Sequence, residues 1–228
     1  MNHPQGNHIH GLFRTQPWQV TGTGEQSGSA SITCEIRTRD YENVLRQYPH
    51  SLKLEVTYEL KGSSLVQKLA VTNEGDATAP IGYGLHTWFL LGGEPDRWTL
   101  QLPVSGIWEL DEQNIPTGQI AGLGMYEGLA QGLNLKGQNM DTVFQIGNNP
   151  CLAVLSGPDC DIRYSGSDDF KHWVIYTKGE ADQFICLEPY TWVTDAPNVD
   201  RDYSTTGVIG LEQGASRLFE VTLEVVHK

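Results

Sequence analysis

The stretch Ser51–Asn73, "SLKLEVTYELKGSSLVQKLAVTN", decides the fold. Its first half places an apolar side chain at every second position, at Leu52, Leu54, Val56, Tyr58 and Leu60. Successive side chains of a strand point to opposite faces, so this alternation predicts a half-buried β-strand. Residues 61–64, "KGSS", are typical of a tight turn, and residues 64–73 alternate again. The stretch therefore predicts a β-hairpin.

The same period of two recurs along the chain. It is found in "SASITCEIRTR" from Ser29, in "CLAVLSGPDCDIRYSG" from Cys151 and in "SRLFEVTLEVV" from Ser216. Only "YENVLRQYP", from Tyr41, indicates a short helical turn. More than ten strands separated by Gly and Pro predict an all-β protein, an antiparallel sandwich or barrel with few or no helices.

The amino-acid composition argues against nucleic acid and membranes as binding partners. The 228 residues carry a net charge of −13, which argues against nucleic acid, because phosphates need Lys and Arg. No apolar run approaches the roughly 20 residues needed to span a bilayer, and the first residues lack the pattern of a secretory signal. Four cysteines occur without a C-x-x-C pair, as expected of reduced thiols. We therefore expect a cytoplasmic protein without nucleic-acid or membrane partners.

Two titratable residues lie at strand ends beside aromatic rings. Glu188 ends the apolar run of "FICLEPYTWVTDAPN", and His86 lies within "GYGLHTWFLLGG". From these residues alone, Glu188 is either a base or a surface charge, and His86 is either an acid or a core histidine. Asp141 precedes a strand, a position common in turns. His8 and His10 share a strand face but lack a third ligand at typical spacing, so no metal site is predicted.

Aromatic residues occur in the same contexts as these candidates. The C–H face of a sugar packs on an aromatic ring while its hydroxyl groups bond to polar side chains, so the combination suits carbohydrate. Each such ring is also compatible with a place in the core. The residues in question are Trp88, Trp173, Tyr190 and Trp192.

Four segments in order resemble the aldose 1-epimerase (galactose mutarotase-like) family. They are "HIHGLFRTQPWQV" from His8, the Tyr-Pro hairpin that leads into "GLHTWFLLGG", "NMDTVFQ" from Asn139 and "ICLEPYTWVTDAPN" from Ile185. The last is similar to the family's Glu-Pro-x-Thr segment. The resemblance runs from about Gly6 to the end of the chain. It implies a large antiparallel β-supersandwich, in agreement with the strand pattern.

The resemblance also implies roles for four residues. Glu188 would be the general base that takes the proton of the anomeric hydroxyl, and His86 the general acid that protonates the ring oxygen. His10 and Asp141 would hold sugar hydroxyl groups. The implied substrate is a neutral aldose such as galactose or glucose, and neither a metal nor an organic cofactor is expected.

We expect one domain over residues 1–228, short at its N-terminus relative to the family. The family's sugar-contacting arginine, which precedes the His-Gly segment, then has no counterpart, and Arg14 is not its equivalent. Exposed sheet edges can pair with a second chain, so the sequence is also compatible with a homodimer. Two alternatives remain: a hexose-6-phosphate 1-epimerase, disfavoured by 15 Lys and Arg against 28 acidic residues, and a carbohydrate-binding β-sandwich without turnover.

Overall fold

The computed structural model describes residues 10–178 and 184–228. The chain forms β-strands joined by turns and a few short helices, which confirms the all-β prediction. The strands are β1 Gln19–Gln26, β2 Ser29–Arg37, β3 Leu52–Lys61, β4 Ser64–Asn73, β5 Ala79–Ile81, β6 Thr87–Leu90, β7 Thr99–Gln101, β8 Gly106–Leu110, β9 Pro116–Ala121, β10 Leu133–Asn134, β11 Asp141–Gln145, β12 Leu152–Ser156, β13 Cys160–Gly166, β14 His172–Tyr176, β15 Phe184–Tyr190, β16 Ile209–Leu211 and β17 Ser216–His227.

The helices are short. The α-helices are α1 Glu42–Leu45 and α2 Tyr203–Thr206, and the 3-10 turns are Thr38–Asp40, Pro95–Arg97, Gly124–Ala130 and Ala196–Asn198. Helix α1 lies in the segment whose sequence indicated a helical turn. Over the ranges that the structure describes, no helix has both the length and the apolar character that crossing a membrane requires.

The chain divides into two compact units. The first comprises the described part of Met1–Ile81 with Asp111–Asn114 and Gly210–Glu220, and the second comprises the described parts of Gly82–Leu110, Ile115–Ile209 and Val221–Lys228. A compact unit need not be a domain that folds alone. The expectation of one domain over residues 1–228 therefore stays a prediction.

In the first unit, strands β1 to β4 pair in sequence order as an antiparallel sheet. Lys61 pairs with Ser64 across the turn, which confirms the hairpin predicted for Ser51–Asn73. Burial changes along its apolar face: Leu52 and Val56 are buried, whereas Leu60 is 53% exposed. The alternation therefore identifies the face correctly, but only half of that face is covered.

The second unit is a sandwich of two antiparallel sheets. One sheet has the order β6-β15-β14-β11-β8-β9, and the other contains β13, β12, β7 and β10. Tyr164 of β13 lies between them, fully buried, with its ring centroid 5.5 Å from Trp173 and 6.1 Å from Phe89. Its hydroxyl shares a 3.0 Å hydrogen bond with Thr87 Oγ1. Apolar side chains from both inner faces thus form the core of this unit.

Odd-numbered residues of β6, β14 and β15 face that core, so even-numbered residues face the other way. A second apolar cluster covers part of this opposite face, around the fully buried Val193. Its buried members are Trp108, Val143, Val193, Ala196 and Val199. The rest of this face carries the buried Glu188 of β15 and the exposed Trp88 of β6.

The chain segment that follows β15 is held by close backbone packing. Thr191 donates its N–H to Tyr83 O at 2.8 Å, and Val193 donates to Thr206 O at 2.9 Å. Gly207 ends helix α2 with φ +83°, and a Cβ there would lie 1.9 Å from Thr191 O. Only glycine satisfies both the backbone angle and the available space.

Replacing Gly207 tests this packing. We expect Gly207→Ala to lower the free energy of unfolding by more than about 3 kcal/mol, because it adds a backbone clash to left-handed strain. Gly214→Ala is the matched control, since Gly214 also has a positive φ (+72°) but open space around it. It should cost about 1 kcal/mol. Equal urea unfolding midpoints for the two variants would contradict this account.

Candidate active site

Strand register brings the two sequence-predicted catalytic residues together. Strand β15 pairs with β6 so that Leu187 lies opposite Thr87, and Tyr190 forms a bridge with Gly84. Between these two pairs the same register places Glu188 opposite His86. Directly opposed side chains on one face of an antiparallel pair lie about 5 Å apart at Cβ. Strand pairing thus brings together two residues that lie about a hundred positions apart in the sequence.

The side chains of this pair are in contact. His86 Nε2 lies 3.3 Å from Glu188 Oε1. The Glu188 side chain is only 3% exposed, whereas that of His86 is 32% exposed. The other carboxyl oxygen, Oε2, accepts a 2.8 Å hydrogen bond from the hydroxyl of Tyr190. The pair therefore combines a buried carboxyl group with an imidazole that solvent and small molecules can reach.

The surroundings shift the titration of both groups. Burial, chiefly, raises the pKa of Glu188 from its ordinary 4.5 to about 7. The charge of Asp141 raises this pKa further, and the hydrogen bond from Tyr190 lowers it. Burial lowers the pKa of His86. A carboxyl group with a pKa near 7 is both a better base and a better acid at neutral pH than an ordinary one.

A second row of side chains lies beside the pair on the same face. Trp88 lies opposite Cys186, Cys186 opposite Tyr176, and Tyr176 opposite Asp141. Asp141 is exposed at the entry of β11. The row therefore runs from an aromatic ring to a carboxylate across four strands, next to the catalytic candidates.

Trp88 offers an aromatic face at the site. The residue is 54% exposed, and its ring stacks on His86 at 5.6 Å with 12° between the planes. The Phe184 ring lies 4.3 Å from that of Trp88 with 39° between the planes, and Tyr176 lies 6.0 Å from Phe184. A partly exposed tryptophan beside polar groups suits the C–H face of a sugar.

Three donor atoms of the site are close enough to be considered for a cation. Ligand atoms of His86, Cys186 and Glu188 all lie within 4.8 Å of one another. The thiolate, not the thiol, is the form that binds metals. Burial raises the pKa of the Cys186 thiol to about 12 and so keeps it protonated at neutral pH. This donor set therefore fits a metal ion poorly.

The sequence also singled out two histidines and two tryptophans, His8, His10, Trp173 and Trp192. His10 belongs to the first unit, where it is exposed with φ +65°, and its role stays a prediction. His8 lies outside the described residues. Trp173 is fully buried in the core between the sheets of the second unit. Trp192 packs so closely on Gly82 that a Cβ there would lie 2.0 Å from its Cε2.

Sequence reasoning missed some members of the site. The sequence predicts Tyr190 as a sugar-packing ring or a core residue, yet its hydroxyl bonds directly to Glu188. The sequence assigns Phe184 no role, and it predicts Cys186 only as a reduced thiol. The signal that could have found them is parity, because residues 184, 186, 188 and 190 of one strand must share a face.

The raised pKa of Glu188 predicts how stability depends on pH. The folded state keeps a proton on Glu188 between pH 4.5 and about 7, whereas the unfolded state releases it. The free energy of unfolding should therefore fall as pH rises through this window. Glu188→Gln removes the effect, because glutamine does not ionise. We expect this variant to be more stable than the wild type by about 2 to 3 kcal/mol at pH 8, with little difference near pH 4.5.

Urea unfolding at pH 4.5 and pH 8 measures this difference. Glu224→Gln is the control, because Glu224 is a half-exposed glutamate of β17 with Arg163 at 3.9 Å. It should change stability by less than about 1 kcal/mol at pH 8. A stability difference for Glu188→Gln that does not grow with pH would refute the buried titration.

Comparison with known proteins places the chain in a family. It matches the aldose 1-epimerase family over residues 1–224. A galactose mutarotase-like protein from Clostridium acetobutylicum has 21% identity and a TM-score of 0.90 over 98% of this chain and 70% of that one. A protein from Synechocystis sp. PCC 6803 has 28% identity and a TM-score of 0.78, covering 100% of this chain and 75% of that one.

A third solved structure carries an enzyme name. The galactose 1-epimerase from Lactobacillus acidophilus NCFM has 17% identity and a TM-score of 0.71 over 92% of this chain and 66% of that chain. These likenesses agree with the antiparallel β architecture and confirm the fold that the four sequence segments implied. The match over residues 1–224 shows that the chain belongs to the aldose 1-epimerase family.

Proposed function

We propose that this chain interconverts the α and β anomers of a neutral aldose such as galactose or glucose. The observation that carries the proposal is the contact between His86 Nε2 and Glu188 Oε1 at 3.3 Å, beside the exposed residue Trp88. An acid and a base close together can act on the two oxygens bonded to one anomeric carbon. The family match supports the reaction type.

In the proposed reaction, Glu188 takes the proton of the anomeric hydroxyl while His86 gives a proton to the ring oxygen. The electrons of the O–H bond form the carbonyl at C1, and those of the C1–O5 bond move to O5. The open aldehyde rotates about C1–C2 and closes on its other face, with the proton transfers reversed. The pair begins and ends each turnover with the same number of protons, so no cofactor is consumed.

Three further residues have proposed binding roles. The carboxylate of Asp141 accepts hydrogen bonds from sugar hydroxyl groups, and His10 serves the same purpose as the family pattern implies. Trp88 packs against the apolar face of the sugar ring. We also propose that the protein acts in the cytoplasm, which its four free cysteines support.

The arginines of the second unit favour a neutral substrate over a sugar phosphate. Arg97 pairs with Glu94 at 2.8 Å, Arg163 lies 3.9 Å from Glu224, and Arg201 donates to the carbonyl oxygen of Gly118. A hexose 6-phosphate would need such cations around its phosphate group. Each of these arginines is instead engaged with a partner of its own.

Anomer interconversion can be followed by polarimetry from pure α-D-glucose or α-D-galactose, with the spontaneous rate subtracted. We expect Glu188→Gln and His86→Asn each to lower the enzymatic rate by about 100-fold or more, because each removes one proton-transfer group. Glu224→Gln, the control on β17, should retain the wild-type rate.

The alternatives predict other outcomes in the same assay. Full activity in Glu188→Gln would refute the assigned base. Sugar binding by calorimetry without any catalysed interconversion would instead identify a binding protein. Turnover of glucose 6-phosphate but not glucose would identify a sugar-phosphate epimerase.

Trp88 provides a test of sugar binding apart from the chemistry. Trp88→Ala should raise KM about tenfold, which corresponds to about 1.4 kcal/mol of lost stacking, and change kcat by less than about threefold. Leu90→Ala is the matched control, because Leu90 lies on the same strand and face and is 79% exposed. It should leave both constants unchanged. An unchanged KM in Trp88→Ala would remove the ring from the sugar site.

A further inference from the structure

We propose that Tyr190 is a positioning residue that fixes the Glu188 carboxyl group, holding Oε2 so that Oε1 faces His86 and the substrate. The inference deepens the proposed function and rests on it for its catalytic meaning. The family's Glu-Pro-x-Thr pattern leaves the position of Tyr190 open, so the role follows from contacts of this chain alone.

The hydrogen bond selects one orientation of the carboxyl group. Tyr190 follows Glu188 by two residues in β15, so both side chains leave the same face of the sheet. Its hydroxyl lies 2.8 Å from Oε2, while Oε1 lies 3.3 Å from His86 Nε2. A glutamate side chain has three rotatable bonds, and a contact at each carboxyl oxygen removes most of that freedom. Reacting groups held in this way need no reorganisation before proton transfer.

Gly84 determines where the Tyr190 ring can lie. It forms the antiparallel bridge to Tyr190, and a Cβ at Gly84 would lie only 2.5 Å from Tyr190 Cδ1. The ring therefore lies across the bare backbone of Gly84. This glycine comes two residues before His86, so a single short segment both supplies the acid and makes room for the ring that positions the base.

The hydrogen bond from Tyr190 also affects the pKa of Glu188. Burial and the charge of Asp141 both raise the pKa of Glu188, and the Tyr190 hydroxyl opposes them by stabilising the carboxylate. Burial and the neighbouring carboxylate raise the pKa of Tyr190, so its hydroxyl remains a donor. Strand β14 contributes the uncharged Val174 opposite Glu188. Among the residues that the structure describes, the titratable groups around the carboxyl are His86, Asp141, Cys186 and Tyr190.

The test is Tyr190→Phe, with the Glu188 carboxyl observed directly by 13C NMR as a function of pH. We expect its pKa to rise by about one unit, the size expected for losing one hydrogen bond to a charged group. The limb of the pH–rate profile governed by Glu188 should move to higher pH by the same amount. At pH 6, kcat should fall about tenfold while KM changes less than twofold.

Tyr164→Phe is the matched control. Tyr164 is buried in the same unit and bonds to Thr87 Oγ1 at 3.0 Å, on the opposite face of the sheet from Glu188. Loss of that bond should affect stability but leave the Glu188 titration and the pH–rate profile unchanged. A role of Tyr190 in packing alone would give the same result in both variants.

A second substitution keeps the test valid if Tyr190→Phe folds poorly. Incorporating 3-fluorotyrosine at position 190 makes the hydroxyl a stronger donor, so the pKa of Glu188 should fall below its wild-type value. The proposal is overturned if the Glu188 titration is unchanged with phenylalanine or fluorotyrosine at position 190. The NMR titration needs no turnover. A wild-type protein that does not interconvert anomers would therefore refute the proposed function without deciding the role of Tyr190.

Discussion

The site depends on one constraint, the antiparallel register between β15 and the segment that leads into β6. This register sets His86 opposite Glu188 and Gly84 opposite Tyr190. A slip of one residue would turn Glu188 toward the core between the sheets and remove the pair altogether. The inner face prevents such a slip, because Leu187 and Ile185 are fully buried there and could not be exposed without large cost.

The same burial that secures the register makes the chemistry feasible. A carboxyl group at a solvated strand end would keep an ordinary pKa and act as a weak base at neutral pH. Here β15 is buried on both faces along most of its length, so Glu188 loses water while gaining contacts from His86 and Tyr190. The protein thereby accepts a titratable group in a poorly solvated place, a common cost of active sites.

Much of the architecture could be predicted from the sequence, because period-two alternation reports directly which face of a strand is buried. The hairpin at residues 52–73 appears as expected. The extent of burial could not be predicted, since Leu60 alternates as well as Leu52 does yet remains exposed. Alternation shows which side of a strand is apolar, and only the packing of neighbouring elements shows whether anything covers it.

The candidate active site likewise has features that the sequence predicts and features that depend on tertiary packing. The sequence by itself determined the family pattern and, through it, the choice of Glu188, His86 and Asp141. Tertiary structure alone decided that His86 and Glu188 touch, that Trp88 is exposed while Trp173 is core, and that Tyr190 bonds to the carboxyl group. The physical reason is that sequence fixes the identity and strand face of a residue, whereas distances, burial and pKa values arise from strands that are remote in the chain.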